Sequence, residues 1–97
     1  MKKVTYIQIQ KCCEQYNIEL SFVQQLQEYE IVHIETADDE MVISEQELSK
    51  LEKMVRLHHE LDINPQGLQA IHHLLGKVTG LQEEVTLLRR RLQRFEN

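Results

Sequence analysis

The side chains best equipped for chemistry come as adjacent pairs: His58-His59, His72-His73 and Cys12-Cys13. Two helices presenting two imidazoles each suggest a metal centre, since neutral imidazole is a common ligand. The spacing argues against it. Neighbours on a helix diverge by about 100°, so the two members of a pair do not readily face one ion. The H-E-x-x-H arrangement is also missing, because Leu61, Asp62 and Ile63 follow His59-Glu60. Exposed or helix-capping histidines are expected, and no metal. Adjacent cysteines cannot staple distant parts of a chain, and they lack C-x-x-C spacing. Both fall at apolar positions of a short helix with no neighbouring cation, so they read as small core hydrophobes. The sequence has no glycine-rich phosphate loop, nucleophile elbow or paired-carboxylate pattern. A non-enzymatic protein without a cofactor is the expectation.

Charge carries more information. The net charge is −5, and residues 1–43 hold three basic residues (Lys2, Lys3, Lys11) against eight acidic ones. From Ser44 onward the signs balance at eight each. Six acids, Glu28, Glu30, Glu35, Asp38, Asp39 and Glu40, fall within thirteen residues. Such a field steers basic proteins and repels phosphates. A DNA-binding face runs the other way, because duplex affinity comes largely from Lys and Arg. The one basic cluster, Arg89, Arg90, Arg91 and Arg94, lies near the C-terminal end of the last helix. There cations complement the macrodipole and flank a coiled-coil seam.

The elements that must position these residues are legible from periodicity. Ile9, Cys12, Cys13 and Tyr16 follow the i, i+3, i+4, i+7 pattern of a short helix, and Asn17 suits its left-handed end. A second helix follows at once, with Leu20, Val23, Leu26 and Tyr29 on its apolar face and Gln24, Gln25, Gln27 and Glu28 opposite. Two short helices across so tight a turn predict a helix-turn-helix. VHIE and MVIS, flanking the five-residue TADDE, predict a hairpin wing. Ser44 and Glu47 form a capping box for a third helix with Leu48, Leu51, Val55 and Leu61 on its stripe. Asn64-Pro65 signals the next start.

From Ile71 the apolar residues Leu74, Val78, Leu81, Val85, Leu88, Leu92 and Phe95 alternate spacings of three and four, which is a coiled-coil seam. Gly76 and Gly80 lie off it, and a break near Gly76 is expected, giving helices over 65–75 and 77–95. One small domain is predicted: 1–43 helix-turn-helix and wing, 44–75 two helices, 77–95 the coiled-coil helix. So long a stripe needs covering, and a homodimer is expected, the alternative being a last helix folded back on its own chain. No apolar run approaches a membrane span, and MKKVTYIQIQ lacks a signal's continuous apolar stretch. The expected location is the cytoplasm.

This order of elements resembles the MerR family of regulators, and NIELSFVQQLQEYEIV is similar to their second helix. Where that family usually carries Arg followed by Tyr-Tyr-Glu, this chain has Gln24, Gln25, Leu26 and Gln27, so the backbone-contacting residues are missing. RLHHELDINPQGLQAI and LLRRRLQRF resemble the CbpM family of bacterial chaperone modulators, which has a MerR-like fold. The resemblance implies a mainly α, winged helix-turn-helix protein that binds the J-domain of a CbpA/DnaJ-like co-chaperone and blocks its engagement of a DnaK-type chaperone. J-domains engage that chaperone through a basic helix, so Glu28, Glu30, Asp38, Asp39 and Glu40 are the expected docking residues. A DNA-binding MerR-like regulator, using Lys2, Lys3 and Lys11 or the arginines, is the alternative.

Overall fold

A short strand, β1 (Tyr6–Gln8), runs directly into α1 (Ile9–Tyr16), and the computed structural model describes residues 3–96. Ile9 and Cys12 are the buried face of α1. The helix stops at Asn17, whose φ of 53° turns the chain so that Ile18 N–H donates to Cys13 O at 3.0 Å. Next comes α2 (Leu20–Glu28), which buries Phe22, Val23 and Leu26. Leu20, expected on this face, is instead 41% exposed. Phe22 is buried in its stead, its ring 4.6 Å from that of His58, a histidine further along the chain. The buried sector is thus Phe22, Val23 and Leu26, and Leu20, at the first position of the helix, lies at its edge.

A Schellman motif ends α2. Ile31 N–H donates to Leu26 O and Glu30 N–H to Gln27 O, both at 2.9 Å, while Glu30 takes φ 60°. Ile31 and Leu26 are both buried, which supplies the apolar contact that accompanies the motif. The motif fixes where Glu30 points away from the helix.

The wing differs from the expected hairpin. Its strands are β2 (Glu35–Ala37) and β3 (Glu40–Ser44), with Glu35 opposite Val42 and Ala37 opposite Glu40. Only Asp38 and Asp39 form the loop, at φ 52° and 63°. Two consecutive left-handed residues make the primed two-residue turn that matches strand twist, and Asp tolerates that conformation. Val32 and Ile34, expected in the first strand, are buried in the irregular connection before it. Gln27 Nε2 donates to Ile34 O at 3.4 Å and His33 N–H to Glu47 Oε1 at 3.0 Å, so this connection is tied at two points. The sheet also has a third strand that periodicity did not reveal. β1 pairs antiparallel with β3, Ile7 opposite Ile43, giving the order β1-β3-β2.

Ser44 ends β3 and caps α3 (Glu45–Leu61), its Oγ accepting from Glu47 N–H at 3.3 Å. The capping box is half formed, because the Glu47 carboxylate serves His33 and Lys50 rather than reaching back. Leu51, Met54 and Val55 are buried; Leu61, expected on the stripe, is 64% exposed. After Asp62 at φ 53°, Asn64 Oδ1 accepts from Gly67 N–H at 2.8 Å and opens α4 (Pro65–Glu96). Ile9, Leu26, Ile43, Leu51 and Leu68 meet in one core to which α1, α2, β3, α3 and α4 all contribute.

The expected break near Gly76 is absent: α4 is one helix of 32 residues, about 48 Å long. A Cβ placed at Gly76 or Gly80 would meet nothing within 4 Å, so no packing force bends the helix there. The glycines cost only propensity. Replacing Gly76 by Ala should therefore stabilise the protein by roughly 0.5–1 kcal/mol. Thermal denaturation followed by circular dichroism checks this, and a lowered Tm would show that the helix needs glycine at that point.

Candidate functional site

The surface with most chemical character is the outer side of α2 together with the hairpin. Ser21, Gln24, Gln25 and Glu28 are exposed on α2, and Glu35 through Glu40 are exposed on the hairpin. Neither α2 nor the hairpin carries a lysine or arginine. Asp38, Asp39 and Glu40 share the turn, which gathers three carboxylates at one tip. Glu28 is the last residue of α2, about 12 Å of helix from Leu20, and Glu30 lies just beyond it. The five acids expected to dock a partner are thus all exposed, but they form two groups rather than one.

Between the start of α1, the start of α2 and the hairpin turn lies a groove of about 330 Å³. Ile9, Cys13, Leu20 and Met41 make its apolar walls, while Asp39 and Glu40 stand at its acidic side. Gln8 donates its side-chain amide to the Glu40 carboxylate, which ties the entry to α1 to the wing. Periodicity could not reveal this groove, since it assigned Leu20 and Cys13 to the interior and Met41 to a strand.

A profile of MerR HTH family regulatory proteins matches residues 7–90. The chain belongs to this family. No curated protein matches it at significance. Family membership places α1 and α2 as the helix-turn-helix and the β2–β3 hairpin as the wing; α2 and the wing are the parts whose surface is acidic here.

Within the helix-turn-helix of this MerR-family chain, the one cation is Lys11 on α1. Lys3 and Lys11 are exposed, and Lys2 lies outside the described residues. Arg89 follows Leu68, the last buried residue, by about 30 Å of helix, so the arginine run stands far from the helix-turn-helix of its own chain. The seam is uncovered: Leu74, Val78, Leu81, Val85, Leu88, Leu92 and Phe95 are all exposed, Phe95 by 89%. The helix does not fold back on its own chain along this stretch.

The paired residues act structurally. His58 Nδ1 lies 2.7 Å from Ile63 O, beyond the end of α3, and His59 Nε2 lies 3.1 Å from Tyr16 O at the end of α1. His72 is half-buried and His73 exposed. Among the described residues, no three His, Cys, Asp or Glu side chains converge as a metal site. Burial pushes both thiols up, Cys13 feeling the Glu14 carboxylate as well, so neither is held as thiolate. Among the described residues, no helix is long and apolar enough to cross a membrane.

Tyr16 donates its hydroxyl to the Glu52 carboxylate, joining α1 to α3. Burial, then this hydrogen bond and the adjacent charge, push the phenol up to about 12. A pKa raised in the folded state contributes stability fully below the ordinary value of 10.0, lost as pH rises toward about 12. The expected outcome is a loss of stability between those pH values that is smaller in Tyr16→Phe. Phenolate absorbance and urea denaturation across that window check it, and an identical pH dependence in the two proteins would contradict it.

Proposed function

We propose that this MerR-family chain is a non-enzymatic chaperone modulator. It binds the J-domain of a CbpA/DnaJ-like co-chaperone and keeps it from a DnaK-type chaperone by occlusion. The observation that carries this reading is the absence of any cation on α2 and the hairpin, where the carboxylates collect. A duplex presents phosphates to those two parts of a winged helix-turn-helix, and this surface repels them. A basic helix is attracted by the same charges. The resemblance of the α3–α4 junction and the arginine-rich end of α4 to CbpM proteins supplies the identity of the partner. Such a protein needs no chemistry of its own: covering the basic helix of the J-domain suffices.

The proposal includes a second copy along α4. The uncovered seam from Leu74 to Phe95 supports it, because three heptads of apolar residues left in water are poorly compatible with a stable monomer.

Two measurements test these readings. Calorimetry with the J-domain, and separately with duplex DNA at low salt, should give binding to the first alone. That binding should weaken as ionic strength rises, since exposed charges are screened within about 8–10 Å at physiological salt. DNA binding without J-domain binding would return the chain to the transcription regulators. In sedimentation experiments the protein should be a dimer, and Leu81→Glu with Leu88→Glu should yield folded monomers; a monomeric wild type would refute the seam as an interface.

A further inference from the structure

The groove beside the hairpin turn combines two features that no internal role accounts for. Leu20 is a large apolar residue at the first position of α2, yet it is 41% exposed and forms one wall of an open cavity. Met41, half-buried on β3, contributes another. At the side stand Asp39 and Glu40, and no lysine or arginine is among the lining residues. The geometry of the turn also holds the acids in place. Asp39 is locked at φ 63° within a two-residue loop, and Glu40 is engaged by Gln8.

We infer that this groove is the anchor site for one long cationic side chain, a lysine or arginine projecting from a basic amphipathic helix of the partner protein. The match is chemical. Such a side chain is apolar along its stem and charged at its head, so the stem lies on Leu20 and Met41 while the head reaches the carboxylates. An apolar side chain would desolvate Asp39 without giving it a partner and would leave the Glu40 charge balanced only by the neutral Gln8 amide, and an acidic or phosphorylated one would be repelled. A volume of about 330 Å³ is at the bottom of the range of small-molecule sites, which suits a side chain better than a cofactor. The inference rests on the J-domain reading for the identity of the partner, and it singles out the Asp39 side of the turn. Glu28 and Glu30, at the other end of α2, contribute only to the long-range field.

The test compares the 97-residue chain with three variants, Leu20→Lys, Asp39→Asn and Asp38→Asn, in calorimetric titration against the J-domain. Asn tolerates the left-handed turn, so the last two remove the same charge from neighbouring positions and differ in whether they line the groove. Leu20→Lys should weaken binding by about tenfold or more and Asp39→Asn by about threefold to tenfold, whereas Asp38→Asn should change it by less than about twofold. Circular dichroism confirms that each variant is folded. In parallel, the methyl resonances of Ile9 and Met41 are followed by NMR during addition of the J-domain, and of a lysine- and arginine-rich amphipathic helical peptide.

Equal losses in Asp39→Asn and Asp38→Asn, with Leu20→Lys unaffected, would overturn the groove while leaving J-domain binding intact. A J-domain that does not bind the wild type would overturn the functional reading instead. In that event the peptide decides the groove: shifts of Ile9 and Met41 in the wild type that vanish in Leu20→Lys uphold it, and their absence refutes it. Methyl shifts that follow dilution of the protein alone would assign the groove to a second copy and refute the proposal.

Discussion

The antiparallel pairing of Tyr6–Gln8 with Val42–Ser44 is the constraint on which the remaining geometry depends. It brings the first strand of the chain against β3, the middle strand of the sheet. Because α1 begins at the very next residue, the pairing fixes where the helix-turn-helix starts. Ser44, the last residue of the same strand, caps α3, and Glu47 in the first turn of α3 holds the connection from α2. Ile43 carries the strand into the core with Ile9, Leu26, Leu51 and Leu68. A three-residue strand is a weak element alone. Here it is stable because both its neighbours are fixed by burial.

The consequence is a module whose outward surface on α2 and the hairpin is acidic. Left-handed residues are confined to positions where a turn requires them: Asn17, Glu30, Asp38, Asp39 and Asp62. Three of these, Glu30, Asp38 and Asp39, are also exposed acids of this surface. Backbone geometry and surface charge are therefore set by the same residues. Preorganised carboxylates can meet a basic partner without first losing backbone freedom.

The second half of α4 obeys a different logic. Leu68 anchors the helix in the core, and beyond it the apolar residues face outward along the seam. The module thus presents two surfaces of opposite character, one apolar and elongated, the other acidic and compact. The two surfaces share no residues: the seam runs from Leu74 to Phe95, and the acids lie between Glu28 and Glu40.

Much of this was legible in the residues. The helical stretches, the Asn17 stop, the Ser44 and Asn64 caps and the apolar seam follow from local periodicity and capping chemistry, which act over three or four residues. The acidity of the helix-turn-helix and wing is composition read along the chain, and it needed no coordinates. What tertiary structure alone decided are matters of facing and pairing. β1 is a strand only because β3 lies beside it, and three alternating residues carry too little pattern to announce that. The hairpin loop shortened from five residues to two because register, set by Glu35 opposite Val42, extended the pairing through polar positions. Phe22, with His58 of α3 against it, is in the core where periodicity put Leu20, and Leu20 at the surface forms one wall of the groove. Gly76 stayed within a helix because nothing packs on it. Local sequence determined which segments would be helical and where charge would gather; contacts between segments distant in the chain determined which side of each would be buried.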